Sequence, residues 1–294
     1  MIVDCGLSGL RIDCGLRIHL RALRFGGQVV GLVLLAALVG GCAAKTNALP
    51  PGTADADKFL FDRGSESAKE RKWLDAREYF RNLVDNYPQS PYRPDAKLAL
   101  GDTYISEGTT ESRLLGANEF REFLTFYPTH PRADYAQLQL ARSFTEQMLG
   151  PERDQSATKD AIKEIEIFLQ RFPNSKLMDE ARKMERQARD RLSESSYRVG
   201  FFYYRNRYYT GAIDRFREVL KTDPAYTNRD AVYYHLAESL YRLSVQLARP
   251  EHKAEALPYY ERLLKEFEKS DYLEAAQKRV AELKTSGETP QSIR

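Results

Sequence analysis

The stretch Gly116–Pro128, GANEFREFLTFYP, decides the fold. Gly116, Phe120, Phe123 and Tyr127 follow one another in steps of 4, 3 and 4, so they share one face of an α-helix. Pro128 ends that helix, because the residue before a proline is pushed out of the α region. The same columns recur as Ala76, Phe80, Leu83, Tyr87 before Pro88, as Ala161, Ile165, Phe168, Phe172 before Pro173, and as Ala212, Phe216, Val219, Asp223 before Pro224. A fifth, degenerate copy is Ala256, Tyr260, Leu263, Phe267 before Glu268. A small residue, then two large ones, then a helix stop describes a packed helix, and all these residues are expected in the core, none of them as catalytic groups.

A partner helix precedes each copy, marked by Leu100-Gly101-x-x-Tyr104, Leu140-Ala141-x-x-Phe144, Val199-Gly200-x-x-Tyr203 and Leu236-Ala237-x-x-Leu240, with Gly64 marking the first less distinctly. Helix pairs with this pattern are tetratricopeptide-like. The copies lie 40, 45, 51 and 44 residues apart rather than the usual 34 or so, so turns or helices must be extended. In the longest interval, Ser175 to Arg205 contains one glycine and no proline, and Leu177, Ala181, Met184, Ala188, Leu192 and Val199 recur at spacings of 3, 4 and 7. The spacing predicts a single long helix that enters the fourth pair directly. The expected fold is therefore all-α: a right-handed superhelix of five tetratricopeptide-like helix pairs, three plus two, joined by that long helix.

The N-terminus reads as an address. Residues 29–38 are an unbroken apolar run behind Arg17, Arg21 and Arg24, as in a secretory signal. Ten residues rise only about 15 Å as a helix, half a bilayer core of roughly 30 Å. Val39-Gly40-Gly41-Cys42 then resembles the lipobox at which bacterial lipoproteins are cleaved and acylated, palmitate among the chains, with Cys42 as the acceptor. An ordinary signal with a chance cysteine is the alternative. Several acyl chains, each buried methylene contributing about 0.8 kcal/mol, would hold the body on a membrane surface. Ala43 rather than Asp after the cysteine fits export to the outer membrane. The expected divisions are a signal over 1–41, the lipidated cysteine and a polar leash over 42–56, repeats 1–3 over 57–175, the connecting helix with repeats 4–5 over 176–284, and a disordered tail over 285–294.

Composition narrows the chemistry. The 294 residues carry a net charge of +3, of which +2 sits in residues 1–42, so the body is nearly balanced and offers no footprint for nucleic acid. Cys5, Cys14 and Cys42 are the only cysteines, so the body holds neither a disulfide framework nor a thiolate metal site. The sequence lacks a phosphate-binding glycine loop, a His-Glu-x-x-His and a Gly-x-Ser-x-Gly, and its four histidines are scattered. No enzyme, metal or cofactor is expected. The chain has 18 Tyr and 14 Phe against one Trp, and the run Phe201-Phe202-Tyr203-Tyr204 with Tyr208-Tyr209 covers more than one helical face. Those rings belong either to an interface or to a helix packed between two arms.

Specific motifs resemble the BamD-type outer-membrane assembly lipoproteins over nearly all of residues 42–275. They are Tyr127-Pro128-Thr129-His130-Pro131-x-x-Asp134-Tyr135, the loop Glu152-Arg153-Asp154-Gln155-Ser156, in which Glu152 and Ser156 depart from the family, Asp190-Arg191-Leu192 with Tyr197-x-Val199, and Thr227-Asn228-Arg229-Asp230-Ala231. The resemblance implies a non-enzymatic scaffold on the periplasmic face of the outer membrane. It implies as partners a BamA-type barrel protein, accessory lipoproteins and unfolded outer-membrane proteins. Arg229 matches the family's contact to the barrel protein, the alternative being a surface charge beside an Asp230 that caps the next helix. Lys221 takes the place of a second basic contact but lacks the bidentate geometry of arginine. The N-terminal repeats would offer a substrate groove, with Tyr92, Tyr104 and Tyr135 as its candidate residues. A tetratricopeptide pilotin or cell-envelope coordinator lipoprotein is the competing reading, which the long repeat intervals disfavour.

Overall fold

The computed structural model describes residues 55–287, all within one compact unit. The signal segment, Cys42 and nearly all of the leash lie outside the described residues. Among those residues there are eleven helices and no strand. They are α1 (Ala56–Lys69), α2 (Trp73–Asn86), α3 (Arg93–Glu107), α4 (Thr110–Phe126), α5 (Ala133–Thr145), α6 (Ser156–Arg171), α7 (Met178–Arg205), α8 (Tyr209–Thr222), α9 (Arg229–Leu247), α10 (Glu251–Glu266) and α11 (Leu273–Gly287). Each packs chiefly on its neighbours in the chain, giving five pairs from α1/α2 to α9/α10. The pair reading does not include α11, which covers the end of the stack through Ala276 and runs three residues into the segment expected as a tail.

The small residue on the first helix of a pair seats the large ring of the second. A Cβ on Gly64 would stand 2.7 Å from the Phe80 ring, one on Gly101 2.8 Å from Phe120 and one on Gly200 2.7 Å from Phe216. Helices meeting this closely leave no room for a methyl group. Every member of the first three sequence columns is buried, from Ala76, Phe80 and Leu83 to Ala256, Tyr260 and Leu263.

The fourth column departs from expectation. Tyr87, Tyr127, Phe172 and Phe267 are only half-buried, whereas Asp223 is buried. The aromatic rings close the ends of their helix pairs and keep one edge in water; the carboxylate is enclosed because it has partners, described below. Val199 is also a correction: it is 41% exposed although its spacing put it on the core face. The first half of α7 packs on α6 through Ala181, Met184 and Ala188, and the second half packs on α8 through Gly200, so the buried stripe rotates around the helix and leaves Val199 outside.

Candidate partner-binding surfaces

Three of the turns that end a helix pair are closed by one device. Ser90 donates to Asp57 (2.6 Å), Ser175 to Asp134 (2.6 Å) and Ser270 to Asp230 (2.7 Å), each aspartate being the second residue of the helix that opens the preceding pair. Each serine oxygen also accepts the backbone N–H two residues on, from Tyr92, Leu177 and Tyr272. His130 replaces serine in the second turn and accepts the Arg132 N–H, while the Arg132 guanidinium takes over the contact to Asp95 at 2.9 Å. Asp230 is thus a cross-turn acceptor rather than a cap. The N-cap of α9 is Asn228, whose side chain makes no capping bond.

The fourth turn is built differently, with Asp223 in place of the aromatic residue and Tyr226 in place of serine. It fastens to the face of α7. Asp223 accepts hydrogen bonds from Arg186 and from Ser193 (2.8 Å), Asp190 accepts the Thr227 N–H at 3.0 Å and its hydroxyl at 2.7 Å, and the Tyr226 hydroxyl donates to Glu194. Arg186, Asp190, Ser193 and Glu194 share a face because they are spaced by 4, 3 and 1 along α7. Burial works to raise the Asp223 carboxyl, but the bonds from Arg186 and Ser193 outweigh it and hold the group below the ordinary carboxylate range.

Arg229 follows this braced turn as the first residue of α9, half-buried, not in a free loop. Its guanidinium donates to the Tyr226 carbonyl at 3.0 Å and lies over the Phe267 ring, 5.6 Å from its centre. Two contacts fix its direction while other N–H groups of the fork stay available. Lys221 is exposed on the last turn of α8.

The loop before α6 is stitched internally by Gln155, which donates to the carbonyls of Gly150 (2.8 Å) and Arg153 (3.0 Å) and accepts from Thr158 (2.9 Å). Arg198 pairs with Glu152, and Arg191 donates to the Leu149 carbonyl at 2.8 Å, which ties the loop to α7. Between this loop, α7 and residues 226–228 lies an open cleft of about 800 Å³.

The groove tyrosines do not form one lining. Tyr104 is 4% exposed, with Arg77 4.5 Å from its ring centre and its hydroxyl taken by Arg81, both on α2, so it belongs to the core shared by α1, α2 and α3 and is corrected as a groove residue. Tyr92 is half-buried and stacks on Phe61 at 5.5 Å. Tyr135 donates to Asp102 at 2.8 Å and carries Arg132 over its ring at 4.8 Å. Only the outer edges of Tyr92 and Tyr135 face water.

In the aromatic run both readings apply to different rings. Phe202 and Tyr208 are 63% and 68% exposed, while Tyr209 is buried and Phe201, Tyr203 and Tyr204 are half-buried. The inner rings surround His235, with Phe201 at 5.0 Å, Tyr204 at 5.2 Å, Tyr234 at 5.2 Å and Tyr272 at 5.3 Å. The His235 Nδ1 lies 2.8 Å from the Ala231 carbonyl and 3.1 Å from the Tyr197 hydroxyl. Among the described residues no group of His, Cys, Asp or Glu side chains is placed to hold a metal ion.

The profile of the YfiO outer membrane lipoproteins matches residues 53–228, from just before α1 to the end of the braced turn. The chain belongs to the YfiO family. The family's profile stops one residue short of Arg229, so that residue and the fifth pair rest on their own geometry. The outer membrane protein assembly factor BamD of Caulobacter vibrioides is 29% identical over 73% of this chain and 67% of its own length. BamD of Vibrio cholerae is 25% identical over 67% of this chain and 83% of its own. Among solved structures, the TPR2AB domain of yeast Sti1 in its pHSP90 complex matches over 79% of this chain and 84% of its own, at 12% identity and a TM-score of 0.45.

Nothing in the spacing along α7 marks the bracing residues Arg186, Ser193 and Glu194. Their signal was present at the other end of the contact. Asp223 and Tyr226 break two columns at once, and a buried acidic residue in an aromatic column demands a basic partner. His235 gave no such signal, because a lone histidine on a helix says nothing of the rings that tertiary packing brings around it.

Proposed function

We propose that this chain is a lipid-anchored, non-enzymatic scaffold of the outer-membrane protein assembly machinery, and that its fourth turn docks on the periplasmic domains of the BamA-type barrel protein. Membership of the YfiO family supports the scaffold role and association with the outer membrane. The observation that carries the docking surface is the braced turn itself. Each turn closes on the helix that opens its own pair, but this one is held by four side chains of α7, Arg186, Asp190, Ser193 and Glu194, and it ends in an arginine whose direction is fixed before any partner arrives. Preorganisation of this kind lowers the ordering cost of association. Among the described residues no helix is long and apolar enough to cross a membrane. Cys42, as the acyl acceptor, then supplies the attachment, and the acyl chains hold the helical body at the surface.

Titration of the purified periplasmic domains of the barrel protein against wild type and Arg229→Ala tests the docking surface. Truncating an arginine paired with a carboxylate in a desolvated interface costs roughly 2–5 kcal/mol, while the same change on a free surface costs little. Binding at wild-type strength with an unchanged melt would return Arg229 to a solvated charge. Fractionation of a Cys42→Ala variant tests the anchor separately: it should move from the outer-membrane fraction to the soluble periplasm.

A further inference from the structure

The opposite end of α9 carries a second, unlike surface. Arg207, Tyr209, Tyr241, Arg242, Val245 and Arg279 line a cleft of about 560 Å³ between the α7–α8 turn, the last turns of α9 and α11. Three guanidiniums line it and no carboxylate does. Beneath them Glu238, 1% exposed, accepts from Arg242 at 3.0 Å and from Arg279 at 2.7 Å, and the Tyr260 hydroxyl donates to the same carboxylate at 2.8 Å. Glu282 takes a second N–H of Arg279 at 2.8 Å. The guanidinium of Arg207 has no ion pair or hydrogen bond among the described residues. Its backbone is held in the left-handed region, φ 63°, by the tight turn between α7 and α8.

The wall beside these cations is apolar. Val245 is 63% exposed, and the Tyr241 ring has Arg279 over it at 4.2 Å and Lys253 at 5.6 Å. An exposed valine next to a free arginine and two arginines held from below fits a carboxylate with an apolar neighbour. We propose that this cleft is a docking site for an acidic peptide segment of a partner protein. The carboxylates of that segment bind Arg207 and the outer N–H groups of Arg242, and an apolar side chain sits on Val245 and Tyr241. Glu238 and Glu282 already neutralise much of Arg242 and Arg279, so Arg207 supplies most of the uncompensated charge. A lipid headgroup layer is met by flexible, fully exposed cations on a flat face. Here two of the three guanidiniums are fixed by a buried counter-ion, and the surface is concave. Val245 lies sixteen residues beyond Arg229, about 24 Å along the helix, so the cleft is separate from the fourth turn.

The test uses the full acylated chain in detergent and a fluorescent peptide alternating glutamate with leucine, with a glutamine–leucine peptide and phosphatidylglycerol vesicles as the other arms. Arg207→Asn and Arg207→Gly remove the cation while tolerating the left-handed backbone, so folding is preserved in both. The acidic peptide should bind wild type with an affinity that falls as salt rises, bind both variants about tenfold more weakly, and regain part of that loss in Arg207→Lys. The glutamine peptide should not bind. Equal binding of the two peptides overturns the proposal, as does unchanged affinity in both Arg207 variants. Capture by vesicles that depends on Arg207, without peptide binding, overturns it in favour of a membrane contact.

Discussion

The first three helix pairs and the last two use the same columns but close their cores by different means. Around α1 to α7 there are three small apolar clusters, one for each step of the stack: Leu60, Phe80 and Leu83; Leu98, Phe120 and Phe123; Ile165, Phe168 and Met184. From Tyr209 to Ala276 there is one continuous cluster, and it encloses the polar side chains of His235 and Glu238. A stack of separate clusters behaves as a sum of nearest-neighbour interfaces. A shared core with buried polar groups is held to one arrangement, because each group is stable only while all its partners are in place. The C-terminal part is therefore the more specific and the more easily broken of the two.

The largest expected effect follows from Glu238. Glu238→Ala leaves Arg242 and Arg279 without their buried counter-ion, leaves Tyr260 without its acceptor, and opens a buried space. Breaking a buried ion pair from one side costs about 3–5 kcal/mol. Hydrogen exchange should show α9 to α11 losing protection while α1 to α5 keep theirs. Uniform loss across the chain would mean that the two regions share one cooperative core. Next comes Ala188→Pro, in the middle of α7 and fully buried. Proline removes a helix hydrogen bond and clashes with the preceding turn at a cost of about 3 kcal/mol. Because α7 packs on both α6 and α8, both regions should lose protection together, the reverse of the Glu238 pattern.

A smaller effect separates the pairs themselves. The Cβ in Gly200→Ala would press on Phe216 at 2.7 Å and that in Gly101→Ala on Phe120 at 2.8 Å, and overpacking of this kind costs about 1–3 kcal/mol. Phe216 belongs to the continuous cluster and Phe120 to a small one, so Gly200→Ala should lower the melting temperature more than Gly101→Ala. Equal shifts would remove the distinction between the cores.

What was legible in the sequence was what depends on local spacing. Steps of 4, 3 and 4 gave the helices, the prolines gave their ends, and the absence of glycine and proline after Ser175 gave the continuous α7. What was not legible depends on which residues meet across the stack. Spacing put Val199 on the core face, but α7 changes neighbours halfway and the stripe turns with it. Nothing in the sequence distinguishes Tyr104 from the groove candidates Tyr92 and Tyr135, yet Arg77 and Arg81 enclose it. Asp223 stands in a column that is otherwise aromatic, and its departure is the feature that braces the turn before Arg229.

The finest test of the comparison is mild acid, because the two regions hold titratable groups shifted in opposite senses. Burial pushes the Asp102 carboxyl up to about 6 against the opposing hydrogen bond from Tyr135 and the charges of Arg132 and Arg142. Burial lowers the His235 imidazole, against the Ala231 hydrogen bond and the charge of Glu238. Between the ordinary carboxylate value and about 6, folded Asp102 binds a proton that the unfolded chain releases, so its contribution to stability grows as pH falls through that window. His235 stays neutral in the fold while the unfolded imidazole takes up a proton below its ordinary value, so its contribution shrinks as pH falls through about 6.5. From pH 7.5 to 5.5, protection relative to the intrinsic exchange rate should rise at α3 and α5, by an amount on the order of 1 kcal/mol, one pKa unit being worth about 1.4 kcal/mol, and should fall at α9. Asp102→Asn should abolish the first response alone and His235→Phe the second alone. If both regions respond in the same direction, the buried histidine is not what distinguishes the C-terminal core.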